Sequence, residues 1–307
     1  RWDELVRILE GQVGVQDDDR VKIDLLFRSA SIWRDEIGQQ DRAVRALERV
    51  LQIEPENLAG ARALEPIYEE NKDYRKLAGV LEVLLNHEEE PAERRSFMLR
   101  SAELNEQHLR NVDGAFEWIR RVVEEHPADS DAHAELERLG GLTQSWGTVH
   151  DELVGALGRI QMGEGGEAAE ASQLKLLLSL ARILDEEMGA LEDALSRYHE
   201  ALDLEPENTQ ALDAVEALYT RMANWPELLG ILDRKLALAE DVADRKALLR
   251  KQGTIFEEQL DDAGSAIERY RSIVEEDDGD LEALEALHRL YEQGEQYEEL
   301  HDVLLRE

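Results

Sequence analysis

The sequence predicts an all-α fold in which about 17 helices stack as antiparallel pairs. One phrase that opens with an aromatic residue recurs at intervals of 72, 72, 79 and 72 residues, at Trp2, Tyr74, Trp146, Trp225 and Tyr297. Within each interval, apolar and small residues recur three and four positions apart, which is the spacing of one helix face. No run of residues alternates with the period of two that is typical of a half-buried strand.

The first repeat shows how each helix is predicted. Its four helices are expected at roughly 2–14, 18–37, 40–53 and 57–71, since apolar columns cover each range. Between the third and fourth helices, the segment EPEN places Pro55 just beyond a helix end and Asn57 where an N-cap is needed. The seven residues that lengthen the third interval are expected within 158–173, because the columns before and after that stretch keep their register.

These intervals predict a single repeat array over residues 1–307. Because Trp2 and Tyr297 each open the second helix of a pair, we expect the array to be a segment of a longer protein, or one whose ends pair with another copy. Its expected units are 2–73, 74–145, 146–224 and 225–296, with a partial unit at 297–307. One helix pair cannot bury its apolar stripe alone, so neighbouring pairs must supply the missing wall.

Composition excludes several classes of protein. The chain has 71 acidic and 35 basic side chains, and its net charge of −36 would repel nucleic acids and anionic membranes. With no cysteine, it has no disulfide or thiolate chemistry. No apolar run approaches the roughly 20 residues that span a bilayer. We therefore expect a soluble, cytoplasmic protein, although a targeting signal upstream of this segment stays open.

A search for catalytic and metal-binding residues favours structural explanations throughout. His150 and His301 share a column, but its other members are apolar, which favours packing over a metal site. The acidic pairs Glu186–Glu187 and Glu257–Glu258 recur at equivalent positions, as expected of a solvated helix face. Asp277–Asp280 lacks the full ligand set of a calcium loop and is better explained by caps and turns. We expect no enzyme, no cofactor and no metal.

The third unit carries the pattern of a known family. Ala181, Ala194, Tyr198, Ala201 and Pro206 resemble the small, aromatic and proline positions of the tetratricopeptide repeat, although the gap between the first two is one residue longer than usual. The resemblance implies a right-handed α-solenoid in which the first helix of each pair lines a groove. It also implies a non-catalytic scaffold. The family's carboxylate-binding pattern of Lys and Asn is not reproduced at the matching positions.

Two features make candidates for partner binding. Basic residues form two columns on first helices, six residues apart, and one tryptophan lies at the border of a buried stripe. These residues are Lys22, Arg94 and Arg245, then Arg28, Arg100 and Lys251, and finally Trp118. The cations could hold carboxylates of a partner. The alternative, which we favour, is ion pairing with nearby acids such as Asp24, Glu103 and Glu257, and packing of the tryptophan against an adjacent helix.

The leading functional hypothesis is a protein-interaction scaffold whose acidic surface binds a protein or peptide partner with a basic segment. The alternative is a structural solenoid whose copies stack end to end, as a homo-oligomer. A third interpretation makes the acidity an adaptation to high salt, since only seven of the 35 basic residues are lysine.

Overall fold

The computed structural model describes residues 1–164, 166 and 169–305, and within them it contains helices and no strand. The helices are α1 (Trp2–Val15), α2 (Asp19–Ser31), α3 (Gln40–Ile53), α4 (Leu58–Glu70), α5 (Tyr74–Asn86), α6 (Pro91–Glu103), α7 (Val112–Glu125), α8 (Ser130–Thr143), α9 (Trp146–Gln161), α10 (Ala169–Arg182), α11 (Leu191–Leu204), α12 (Thr209–Arg221), α13 (Trp225–Leu238), α14 (Val242–Glu258), α15 (Ala263–Glu276), α16 (Leu281–Gln293) and α17 (Tyr297–Leu304). The prediction of an all-α fold with about 17 helices is confirmed.

The helices form two compact units, Arg1–Gln173 and Leu174–Glu307, whose boundary falls inside α10. In each unit, helices that follow one another in the chain pack together, as α4 does with α5 and α14 with α15. One buried apolar cluster of the first unit runs from Val6 to Leu104, and two clusters of the second unit run from Ala181 to Val303. That all residues form one continuous array stays a prediction. No helix in the described part of the chain is long and apolar enough to cross a membrane.

A π-helical turn follows the second helix of three of the repeats. After α2 it spans Ile32–Glu36, after α6 Leu104–His108 and after α10 Ile183–Glu187. In the fourth repeat the same bond spacing occurs at the end of α14, where the Leu260 N–H donates to the Ile255 carbonyl at 3.2 Å. A bond between residues five apart accommodates one more residue than an α-helical turn. This turn explains why the gap between Ala181 and Ala194 exceeds the family spacing by one residue. The sequence pattern alone had assigned 18–37 to one continuous helix.

Polar side chains start the helices where the sequence predicts. Asn57 and Asn208 are the N-caps of α4 and α12, and their carboxamide oxygens accept from the N–H groups of Gly60 and Ala211 at 2.8 and 2.9 Å. Asp280 caps α16 in the same way, with the Ala283 N–H donating at 3.0 Å. Each cap satisfies a backbone donor that the helix itself leaves unpaired.

Asp280 also joins two helices. Its carboxylate lies 2.8 Å from Lys246 Nζ and 2.8 Å from Arg250 Nη2, both on α14. Burial opposes ionisation of this carboxyl, but hydrogen bonds from Lys246, the Ala283 N–H and Arg250 outweigh it and hold the pKa of Asp280 at about 2. The segment Asp277–Asp280 is therefore used for a cap and for ion pairs, in agreement with the structural interpretation of its sequence.

We predict that Asp280→Ala lowers the free energy of unfolding of the chain by about 2 kcal/mol, because it removes a cap and a nearly buried ion-pair partner. Because the pKa of Asp280 is lowered in the folded state, its stabilisation is present above pH 4 and is lost as the pH falls towards 2. Urea denaturation followed by circular dichroism at several pH values measures both effects. The control is Asp278→Ala at the exposed neighbour, and an equal loss in the two variants would contradict the assignment.

Candidate interaction surface

The six basic residues singled out in the sequence lie on the first helices α2, α6 and α14, and the structure shows what each one contacts. Arg94 on α6 binds Glu125 at the end of α7 through two parallel bonds, Nε–Oε2 at 2.8 Å and Nη2–Oε1 at 2.7 Å. Its Nη1 donates to the carbonyls of Leu85 and Glu88, each at 2.9 Å. The bonds from Arg94 lower the pKa of the Glu125 carboxyl. Arg94 therefore ties together three successive helices.

Arg245 on α14 repeats this arrangement in the second unit. Its Nε lies 3.0 Å from Glu276 Oε1 on α15, and its Nη1 donates to the Glu240 carbonyl at 2.8 Å. Lys22, the third member of this column, instead pairs with Asp19 on its own helix at 2.7 Å. Two of the three cations in this column thus hold helices of the chain together.

The second column is also bound internally, by glutamates of the preceding first helix. Arg100 Nη1 lies 2.5 Å from Glu65 on α4. Lys251 Nζ lies 2.5 Å from Glu216 on α12. Burial raises the pKa of Glu216, but the hydrogen bonds from Lys235 and Lys251 outweigh burial, and the pKa lies below its ordinary value.

Arg28 differs from its two column partners. It is exposed on α2, and no carboxylate of the described residues lies within ion-pairing distance of it. The other five cations each have a carboxylate of this chain. Their use in binding an external partner stays a prediction, and such a partner would have to compete with these internal pairs.

The acidic partners differ from those considered in the sequence. Lys22 does pair with a nearby acid, although this is Asp19 and not Asp24. For the other four paired cations the carboxylates lie on helices 31 to 35 residues away, and Glu103 and Glu257 are not among them. A third set, Arg95 with Asp129 at 2.5 Å and Lys246 with Asp280, had not been anticipated. The sequence did contain a signal for these ion pairs. In two repeats, a cation and an acid recur with the same number of residues between them.

Trp118 lies on α7 and is half-buried. The guanidinium of Arg121, one turn further along the same helix, lies 4.5 Å from the centre of its indole ring. A cation over an indole face is attracted by the ring electrons. The rest of the Trp118 side chain is exposed. That this ring anchors a binding partner stays a prediction.

The second unit contains a groove that the sequence had not indicated. We call it the α12–α14 groove; it has a volume of about 340 Å³ and is lined by Thr209, Leu212, Asp213, Lys235, Leu238, Ala239, Asp244, Ala247 and Leu248. Its floor is apolar, and Leu238 keeps 38% of its surface exposed. Lys235 is bound by Asp213 at 2.6 Å and by Glu216, so its charge is already compensated. Asp244 has no ion-pair partner among the described residues.

The equivalent place between α8 and the start of α10 in the first unit is polar. His133 stands at the position of Leu212, Arg159 at that of Leu238, and Ser172 at that of Asp244. Arg159 donates to the Val123 carbonyl at 3.1 Å, and burial lowers the pKa of His133. The apolar lining therefore comes from side chains of the second unit and not from the repeat itself.

The described residues contain no group of three or more His, Asp or Glu side chains arranged to hold a metal ion. His150 Nδ1 lies 3.1 Å from the carboxylate of its neighbour Asp151.

We predict that Arg245→Ala lowers the free energy of unfolding measurably, because it leaves Glu276 and loop carbonyls without their donor. Arg28→Ala, which removes a cation with no internal partner, should change it by less than about 0.5 kcal/mol. Chemical denaturation of the two variants measures this difference. Equal effects would contradict the structural role of the Arg245 column.

Comparisons with known proteins agree with the repeat. Two family models described as tetratricopeptide repeat match residues 24–57 and 211–246. The first range covers most of α2 and all of α3, and the second covers most of α12 and all of α13. Each range thus matches the first and the second helix of one pair. No curated protein sequence matches the chain.

Similar solved structures share 14–15% sequence identity with the chain. YrrB, described as a TPR protein with an unusual peptide-binding site, matches 64% of this chain and 92% of its own with a TM-score of 0.36. MamA matches 67% and 91% with a TM-score of 0.33. A tetratricopeptide repeat protein from Parabacteroides merdae ATCC 43184 matches 87% and 98% with a TM-score of 0.29. The repeated helix pairs and the two family matches together support a tetratricopeptide-repeat-like helical repeat.

Proposed function

We propose that the chain is a non-catalytic interaction scaffold that binds a segment of a partner protein, and that this segment is both basic and apolar. Tetratricopeptide repeats in general form protein-interaction scaffolds. The observation that carries the finer proposal is the balance of charge. Basic side chains number 35 against 71 acids, and most cations of the two columns are already bound by internal carboxylates.

The excess acids determine which partners approach. Since the net charge is −36, the chain attracts cationic segments over several ångströms and repels anionic ones. Such attraction raises the association rate and weakens as salt is added. It does not by itself fix where the partner binds.

The α12–α14 groove supports a binding position for that partner. Its apolar floor can bury the hydrophobic side chains of a short segment, and burial of apolar area supplies most of the affinity of such contacts. Asp244 at the rim offers a carboxylate without an internal cation. A segment with aliphatic and basic side chains matches both features.

The proposal predicts which peptides the chain selects. A displayed library of random 15-residue peptides, selected on the chain at low salt, should be enriched in sequences that combine Lys or Arg with Leu, Ile or Phe. The selected peptide should bind about tenfold more weakly to Leu238→Ser and to Asp244→Lys, because they remove apolar area and reverse a rim charge. Isothermal titration measures the affinities.

The control is Leu142→Ser, which changes a leucine of α8 outside the groove that is more exposed than Leu238, at 61% against 38%. It should leave the affinity unchanged. Enrichment of acidic or uncharged peptides would overturn the electrostatic part of the proposal. Affinities that neither groove variant alters would overturn the binding position.

Self-association is the second candidate function. Apolar side chains are exposed on α1, where Trp2 is 46% and Ile8 58% accessible, and on α17, where Tyr297 is 67% accessible. Copies that stack through these helices would bury them. Light scattering over a wide range of concentrations tests this candidate, and a constant monomer mass would exclude it.

A further inference from the structure

The first unit contains a groove between α3, α4 and α5. We call it the α3–α5 groove; it has a volume of about 540 Å³, and its lining includes Leu51, Pro55, Glu56, Tyr68, Gly79 and Val83. A Cβ added at Gly79 would meet no side chain of another helix within 4 Å, so the α5 side of the groove is open. The groove lies among interior helices of the unit, since α1 and α2 come before it and α6 to α9 after it.

The second unit has the same groove positions between α11 and α13. A leucine, a proline, a tyrosine and a glycine recur there, as Leu202, Pro206, Tyr219 and Gly230. The two places differ at one residue of the second helix. Arg234 of α13 donates from Nη2 to the Pro206 carbonyl at 2.8 Å, so the second unit supplies its own guanidinium to this loop. In the first unit Val83 stands at this position, and its apolar side chain has no donor to offer.

The carbonyl of the repeated proline distinguishes the first loop from the others. Pro55, Pro127 and Pro206 stand at one repeat position. The Pro127 carbonyl accepts from the His133 ring, and the Pro206 carbonyl accepts from Arg234. No hydrogen bond from any described residue reaches the carbonyl of Pro55. This acceptor on the α3–α5 groove is therefore open to an external donor.

The α3–α5 groove also carries a carboxylate without a compensating cation. Glu56 is 58% exposed at its side chain, and its contacts are the Asn86 amide at 3.4 Å and the His87 ring at 4.0 Å. No lysine or arginine of the described residues pairs with it. Lys76, the cation of this groove, is already bound by Glu48 at 2.7 Å. The groove thus combines an open carbonyl, an unpaired carboxylate and an apolar wall.

We propose that the α3–α5 groove binds an arginine side chain of a partner protein, in the place that Arg234 takes in the second unit. The guanidinium donates to the Pro55 carbonyl and to Glu56, and its methylene stem packs on Leu51 and Val83. Arginine fits this pair of acceptors better than lysine, because its planar fork donates in two directions at once. The site lies in a different unit from the α12–α14 groove and does not depend on that groove binding a partner.

Charge decides which source of arginine the groove takes. Two copies of this chain, each with a net charge of −36, repel one another, which disfavours an arginine of a second copy. Free arginine carries a carboxylate of its own, which Glu48 and Glu56 repel. An arginine within a basic polypeptide has neither disadvantage, and a neighbouring aliphatic residue adds apolar contact with the wall of the groove.

A short blocked peptide tests the proposal on the full 307-residue chain. The probe is acetyl-Gly-Leu-Arg-Gly-amide, and ¹⁵N-correlation NMR at about 0.15 M NaCl is the measurement, so that long-range attraction is screened. We expect saturable shifts of the Gly79 and Val83 amide signals. The same peptide with lysine in place of arginine should bind at least about fivefold more weakly. Free L-arginine should also bind more weakly than the blocked peptide.

Two variants locate the contact. Glu56→Gln, at an exposed position, should weaken the peptide about fivefold, because it removes the charged acceptor. Val83→Arg gives the first unit the residue that the second unit has, and it should abolish the shift at Gly79. The control is Gln107→Arg, which adds the same charge at an exposed residue of the first unit outside the groove. Leu238→Ser, which tests the α12–α14 groove, should leave this affinity unchanged as well.

Several results would overturn the proposal. One is the absence of saturable shifts at Gly79 and Val83, and another is equal affinity for the arginine and lysine peptides. Tighter binding of free L-arginine would make the ligand an amino acid. Self-association of the chain that Val83→Arg abolishes would make a second copy the occupant. An affinity that Glu56→Gln leaves intact would exclude this groove even if Val83→Arg failed to fold.

Discussion

No helix pair in this chain can bury its own apolar stripe, and the rest of the structure depends on this incompleteness. Val80 on α5 and Ile231 on α13, for example, become buried because another helix lies over them. Within a unit, each helix pair packs over the apolar stripe of the neighbouring pair. It presents an apolar stripe of its own to the next pair. Burial of apolar surface therefore fixes the order of the helices, while their outer faces remain free to differ between repeats. The α12–α14 groove is one such difference.

Ion pairs form a second set of links on top of this packing. Arg94 with Glu125, Arg95 with Asp129 and Arg100 with Glu65 have counterparts two repeats later in the second unit. Isolated surface pairs contribute little, but these pairs also satisfy loop carbonyls, helix caps and half-buried carboxylates. Because the basic residues serve these internal contacts, the uncompensated charge of the chain is carried by acids. The same sequence feature therefore explains both the rigid links and the negative surface.

Much of the fold could be predicted because its signal is local and repeated. The helices of the first repeat, expected at 2–14, 40–53 and 57–71, differ from α1, α3 and α4 by one residue at most at each end. The π-helical turn was missed, since its extra residue leaves the apolar columns in register between repeats. The partners of Arg94, Arg100, Arg245 and Lys251 were missed because they lie on helices 31 to 35 residues away. A search near each cation in the sequence does not reach them. The α12–α14 groove was missed for a different reason: it depends on Leu212 and Leu238, whose places in the preceding unit are taken by His133 and Arg159.

The π-helical turns also define the true period of the chain. The turn follows α2, α6 and α10, and the same bond spacing ends α14, so it recurs in the same one of the two helix pairs of each unit. The repeating module is therefore two unequal helix pairs, one with the extra residue and one without. The seven additional residues before α10 occur in one copy only. The chain thus repeats every two pairs, and a single helix pair is not interchangeable with its neighbour.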